Sequence, residues 1–271
     1  MDWQDRSRRL IGGDGVNALG KARAMVVGLG GVGSFCAEAL ARSGVGALTI
    51  IDCDRIEDTN INRQLPASRV TVGRLKTEVV GERLLAINPD LRLRSLAIRV
   101  HAGNIGVVID SGSAGKTGDE GEAGEACVAV EAPPDFIADA IDDLPAKVAL
   151  AVAARERGIK LISSMGAGFR LDPSMLSIDD ISQTHTCPLA RRYRRLLKDA
   201  GVTGGVPVVW SKEKPSRARD ADMAEEVSSV NMEKSAVSAA SNPASMIFVP
   251  ATAGIMMASY IVRSILTGIG D

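Results

Sequence analysis

The 271-residue sequence predicts an α/β fold: a Rossmann-like, mostly parallel sheet with helices on both faces and an α/β extension toward the C-terminal end. Three observations predict it. Short β-branched runs alternate with helix-period segments between residues 25 and 110, the pattern of parallel strands joined by crossover helices. The first run, Met25-Val26-Val27, feeds a glycine-rich turn, Gly28-Leu-Gly30-Gly31-Val-Gly33, that opens into a helix. The next apolar run, residues 47–51, ends in Asp52, about 20 residues past the glycines, where a nucleotide-binding fold places a ribose-binding acid.

The elements follow in order. Residues 1–23 are polar and read as a helical arm carrying Asp5-Arg-Ser-Arg-Arg9. Strands are expected at 24–27, 48–51 and 92–98. Helices are expected at 34–43, with good helix formers and a stop at Gly44, and at 76–86, stopped by Asn88-Pro89. Residues 103–109 suggest a short helix or turn. Residues 111–124 are rich in Gly, Ser, Ala and Glu without apolar period and read as a mobile surface insertion. Within it, Gly112-Ser-Ala-Gly115-Lys116-Thr117 imitates a phosphate loop, but Asp110 stands where the first glycine belongs, and the segment has no flanking strand or helix pattern. Residues 135–143 form a strand ending in carboxylates, followed by a helix through 157, a strand at 160–164 and a turn, Gly166-Ala-Gly168. A basic helix opened by Pro188, a strand at 206–210, a charged mobile loop at 211–235 and a closing helix at 253–266 complete a single domain over 1–271.

Composition sets limits. Hydrophobic residues make up 45% and aromatics 3%, so the core must be built of Ala, Val, Ile and Leu. A net charge of −1 argues against nucleic-acid binding through bulk charge and leaves room for a local basic patch. The four cysteines are scattered singly and no signal peptide is evident, so a reduced cytoplasm is expected. The apolar stretch 246–266 is interrupted by Pro250, Ser259, Tyr260 and Arg263 and reads as a strand-like entry and a buried helix rather than a membrane span. No Cys-x-x-Cys pair offers a zinc site. Cys187, at a helix start, has the position of a low-pKa nucleophile, but nothing else in the sequence calls for a catalytic thiol.

Charged groups beyond Asp52 refine the chemistry. Asn60, Arg63 and Gln64 form an Asn-x-x-Arg-Gln cluster, and Lys76 follows at the next helix start. A nicotinamide-dependent oxidoreductase has no use for these groups. A triphosphate-handling enzyme does, because arginine offers a planar fork of donors to phosphate oxygens. Asp142, at the carboxyl edge of the sheet, is the candidate magnesium ligand, since one carboxylate plus phosphates and waters satisfies that ion. Asp142 or its neighbour Asp143 also suits a helix N-cap.

Taken in order, Gly28 to Gly33, Asp52 to Asp54, Asn60 to Gln64, Lys76 and Asp139-Ala-Ile-Asp142 resemble the ubiquitin-activating-enzyme superfamily of ThiF-like adenylyltransferases, which includes the molybdopterin and thiamine sulfur-carrier adenylyltransferases. Within it the sequence is most similar to the tRNA threonylcarbamoyladenosine dehydratases, through Arg9-Leu-Ile-Gly12, Glu38-Ala-Leu-Ala-Arg-Ser-Gly-Val-Gly46, Ala86-Ile-Asn-Pro89 and Gly166-Ala-Gly168. The resemblance is good over about residues 6–200 and loose beyond. It implies ATP on the glycine turn (Gly28, Gly30, Gly31, Gly33), its ribose on Asp52, and Asp54, Asn60, Arg63, Gln64, Lys76, Asp142 and Asp143 around it. Arg63, Lys76, Asp142 and Arg9 are the implied catalytic groups, with Mg2+ on Asp142 and Arg9 acting in trans within a homodimer. The implied substrate is tRNA carrying threonylcarbamoyladenosine, activated as an acyl-adenylate. Given that, the cluster Arg191, Arg192, Arg194, Arg195 and Lys198 reads as an RNA contact with Tyr193 as a stacking residue. The resemblance leaves open accessory sulfur-transfer proteins. An adenylyltransferase for a ubiquitin-like sulfur carrier is the alternative, disfavoured by the missing zinc cysteines and by the arginine cluster.

Overall fold

Side-chain alternation along the first strand decides the layering. In β1 (Arg23–Val27), Met25 and Val27 pack into one apolar cluster and Ala24 and Val26 into another, so both faces of the sheet are covered. The computed structural model describes residues 3–110, 132–216 and 244–268. Its sheet has seven strands: β1, β2 (Ala47–Ile51), β3 (Arg92–Leu96), β4 (Phe136–Asp139), β5 (Lys160–Ser164), β6 (Leu176–Asp180) and β7 (Pro207–Ser211). Their order is β3-β2-β1-β4-β5-β7-β6, parallel throughout except for β6 against β7.

The chain runs outward one way through β2 and β3 and then the other way from β4 on. The topological switch therefore lies between β1 and β4, where Val27 pairs with Asp139 and where ligands bind in open sheets of this kind. On one face lie α4 (Ile105–Asp110), α5 (Leu144–Glu156) and α6 (Pro188–Asp199). On the other lie α1 (Asp5–Lys21), α2 (Gly33–Arg42), α3 (Lys76–Ile87) and α7 (Phe248–Leu266). The expected C-terminal extension thus continues the same sheet through β6 and β7.

Several expectations are adjusted. The third strand stops at Leu96, not 98. The edge strand β6 was not expected at all. The arm helix α1 breaks at Gly12, whose φ of +72° only glycine tolerates easily. The closing helix starts five residues early, with Pro250 in its first turn, where a missing N–H costs nothing. Among the described residues α7 is the one helix long and apolar enough to cross a bilayer. Here Val249, Ala253, Met257 and Ile261 bury it against the core, and a Cβ on Gly254 would stand 2.2 Å from the Val32 carbonyl oxygen. The insertion at 111–124, with its phosphate-loop imitation, lies outside the described residues, as does the greater part of the loop expected at 211–235, whose first residue ends β7.

Candidate active site

A cavity of about 710 Å3 opens at the carboxyl ends of β1, β2 and β4, within the range of roughly 300–1,000 Å3 usual for small-molecule sites. The glycine turn forms its floor. Gly28 has φ +90°, and a Cβ there would meet the Ala140 carbonyl oxygen at 2.8 Å; on Gly33 it would fall 1.7 Å from the Gly28 carbonyl oxygen. Gly31 backs onto Pro250 and the Arg63 carbonyl. These three glycines serve close packing. Gly30 differs: its nearest neighbour would be Gln64 Nε2 at 3.9 Å, so its missing side chain leaves room on the cavity side. No side chain caps α2, which leaves first-turn N–H groups for an anion.

Asp52 rivets this floor to the end of β2. Its carboxylate accepts from Leu29 N at 2.7 Å and Asp54 N at 2.8 Å. Burial dominates and raises its pKa against the pull of Lys76. Lys76, buried, points its ammonium at Asp54 (2.9 Å) with Asp52 4.0 Å away. Burial opposes the Asp54 charge, but the Lys76 hydrogen bond and charge together outweigh it and hold that carboxyl below its ordinary range. A depressed carboxyl contributes stability that is complete above the unfolded value of about 4 and is lost as pH falls through the folded value. Asp54→Asn is therefore expected to lower the melting temperature at pH 7, and the difference from wild type should shrink as thermal scans are taken down through pH 4.

The Asn-x-x-Arg-Gln cluster sits on a tight turn. Asn60, buried, accepts from Glu57 N and shapes the turn by reciprocal capping. Arg63 uses Nη1 on the Thr59 carbonyl (2.7 Å) and Asn62 Oδ1 (3.0 Å); its Nε and Nη2 have no partner among the described residues. Gln64 is buried at the cavity wall with Oε1 unpartnered, an acceptor that a ligand hydroxyl or amino group can satisfy.

After β4 the two carboxylates divide their roles. Asp143 caps α5, accepting from Ala146 N at 2.8 Å. Asp142 is exposed, lines the cavity and has no partner among the described residues, so its oxygens remain for a cation. A hard cation such as magnesium fits such an oxygen donor beside a phosphate site. Sequence reasoning missed the fully buried pair Asp139 and Lys147 behind this loop, although a lone lysine in the apolar run of α5 could have signalled it. It also missed Arg55, Ile98, Arg99 and Val100, which line the cavity.

Outlying expectations fare differently. Arg9 is exposed, pairs among the described residues with Asp5 alone (2.9 Å) and is absent from the described cavity wall of its own chain. On α6, Ala190, Tyr193 and Leu197 form a buried stripe, so the basic helix is amphipathic. Tyr193 is fully buried, and burial first, then the Asp139 charge, pushes its phenol pKa up; it cannot stack on a base. Arg194 is also taken: Nη1 donates to the Ile181 and Thr184 carbonyls and to Thr184 Oγ1. Arg191, Arg192, Arg195 and Lys198 remain exposed. Cys187 is 3% exposed, unsuited to a nucleophile that must be reached.

Comparison with known proteins agrees with this geometry. The ThiF family model matches residues 4–270. The tRNA threonylcarbamoyladenosine dehydratase of Bacillus subtilis (strain 168) is 36% identical over 264 residues, covering 97% of this chain and 94% of its own. Crystal structures of E. coli tRNA N6-threonylcarbamoyladenosine dehydratase, TcdA, in complex with AMP and with ATP superpose with a TM-score of 0.77 each, at 30% and 29% identity, covering 98% of this chain and 96% of theirs.

Proposed function

The chain belongs to the ThiF family and, within it, to the tRNA threonylcarbamoyladenosine dehydratases, and from this we infer that it cyclises threonylcarbamoyladenosine in tRNA by an ATP-dependent dehydration through an acyl-adenylate. The observation that carries the reading is one cavity at the sheet's switch point. It joins an anion-binding glycine turn, the open donors of Arg63 and the unpartnered carboxylate of Asp142. The substrate carboxylate attacks the α-phosphorus of ATP and pyrophosphate leaves. The mixed anhydride then closes intramolecularly at the acyl carbon and AMP leaves, carrying the oxygen that the base loses as water. Catalysis is chiefly positioning and charge stabilisation.

The residue roles belong to this proposal. Arg63, Asn60 and Gln64 orient the triphosphate, Asp52 faces the ribose, and Lys76 holds Asp52 and Asp54 in register while adding positive charge beside the phosphates. Asp142 holds magnesium, which when bound neutralises phosphate oxygens. The protein works in the cytoplasm as a homodimer in which Arg9 serves the neighbouring subunit's site, which is consistent with its exposure and its absence from the lining of its own cavity. Exposed Arg191, Arg192, Arg195 and Lys198 contact tRNA phosphates. Changing these four to Ala should raise the KM for tRNA at least tenfold and reduce the slope of log affinity against log salt by roughly 2–4, leaving kcat at saturating tRNA near wild type. An unchanged salt slope would remove α6 from the RNA interface.

The discriminating experiment is product release. Adding tRNA that bears threonylcarbamoyladenosine to enzyme, ATP and magnesium should release AMP and pyrophosphate in equal amounts, and a carrier peptide ending in Gly-Gly should release neither. Pyrophosphate release with the carrier peptide, its AMP retained on the carrier, and no release with the tRNA would move the chain to the sulfur-carrier adenylyltransferases.

A further inference from the structure

The one fully buried ion pair among the described residues lies behind the Asp142 loop, not in the cavity. Asp139, at the end of β4, and Lys147, on α5, are both 0% exposed, with Lys147 Nζ 2.9 Å from Asp139 Oδ2. Removing two charges from water is expensive, and an apolar pair of similar volume would hold a core at least as well. The pair's geometry suggests what it is kept for. Lys147 Nζ donates to the Ile141 carbonyl at 3.0 Å, and Asp139 Oδ1 accepts from Ile141 N at 3.3 Å. Both polar groups of the residue before Asp142 are therefore held by the same ion pair. Asp142 itself, exposed and without a partner, takes its direction from that clamp.

The clamp is braced in turn. Ser163 Oγ, on β5, donates to Asp139 Oδ2 at 2.5 Å. The Tyr193 hydroxyl, with one proton to give, lies 3.3 Å from Ser163 Oγ, to which it donates when Ser163 donates to Asp139, and 3.4 Å from the Lys147 carbonyl, and the Lys147 ammonium sits 5.8 Å from the Tyr193 ring centre. Tyr193 belongs to α6, the helix whose outer face carries the exposed cations. A continuous buried hydrogen-bonded chain thus runs from that helix to the loop that presents Asp142.

We infer that Lys147, with Asp139 as its counterion, is a positioning residue that fixes the Ile141–Asp142 peptide so that Asp142 faces the nucleotide cavity in the orientation needed to engage a magnesium–ATP complex. This rests on the proposed role of Asp142.

Two observables test it: turnover, and the ratio of ATP dissociation constants measured by calorimetry without and with magnesium. In wild type magnesium should tighten ATP at least tenfold. Lys147→Met leaves Asp139 buried without a cation and is expected to melt well below wild type. The informative variant is therefore Asp139→Asn with Lys147→Met, which removes both charges and retains volume. It should melt close to wild type, lose at least tenfold in kcat, and show a magnesium effect on ATP binding of twofold or less, with the KM for tRNA unmoved. Lys147→Arg, which keeps charge and donor, should recover the greater part of both. A folded double variant with a wild-type magnesium effect and kcat would overturn the inference, and so would loss of kcat with the magnesium effect intact. Asp142→Ala separates the two layers. If it abolishes the magnesium effect while the folded double variant retains it, positioning fails alone. If Asp142→Ala keeps the wild-type magnesium effect, or if wild type itself shows none, the role of Asp142 fails and the inference with it.

Discussion

Arg63→Ala should lower kcat for cyclisation by about 10²–10³, equivalent to about 2.7–4 kcal/mol of transition-state stabilisation, while leaving the fold intact. The two halves of this expectation have separate grounds. Among the described residues the Arg63 guanidinium bonds only within its own turn, to the Thr59 carbonyl and Asn62, so its loss removes little that holds the sheet. Its Nε and the second terminal nitrogen have no partner among the described residues, and Arg63 lines the cavity in which the proposed reaction would develop charge on departing pyrophosphate. Arg63→Lys keeps the charge but not the fork and should recover only part of the rate. Single-turnover kinetics with saturating ATP, beside a melting curve, checks both. Wild-type turnover in the alanine variant would remove Arg63 from the chemistry.

Gly33→Ala should have the largest effect on stability of any single methyl addition in the site. The added carbon would stand 1.7 Å from the Gly28 carbonyl oxygen, and the atom in its way is backbone that cannot swing aside. Relief requires α2 to back away from the turn, but α7 is already in close contact behind it, with Gly254 against Val32 and Pro250 against Gly31. A cost of about 3 kcal/mol or more follows, or a fall in Tm of roughly 6–12 °C for a chain of this size. Gly30→Ala is the matched control. Its new methyl meets only the end of the Gln64 side chain at 3.9 Å, so Tm should hardly move, while the methyl intrudes on the cavity and weakens ATP binding. A Gly33→Ala protein that melts like wild type would contradict the packing described here.

The glycine turn, Asp52, and the Asn60 to Gln64 cluster were legible in the sequence because each is a contiguous run whose chemistry depends on near neighbours. The carboxyl-edge position of Asp142 followed from the strand ahead of it. Which of two adjacent aspartates would cap α5 did not follow, since both suit a cap; the backbone assigns it to Asp143. Lys147 was hidden because its meaning comes from Asp139 and Ile141, contacts made only once the loop folds back. The basic helix misled for a related reason. Counted as charges, its arginines surround it, but Arg194 lies at the border of the buried stripe and turns inward to carbonyls of a neighbouring loop. The strand β6 offered only a short signal, Leu176 and Ile178 alternating with Ser177 and Asp179, and its place at an antiparallel edge comes from pairing with β7.

The most direct measurement is the mass of the modified nucleoside. tRNA carrying open threonylcarbamoyladenosine, incubated with the protein, ATP and magnesium and then digested, should yield a nucleoside lighter by one water. That species should be lost with Asp142→Ala and should not form without ATP. An unchanged nucleoside mass, with ATP still bound and the protein folded, would contradict the dehydration.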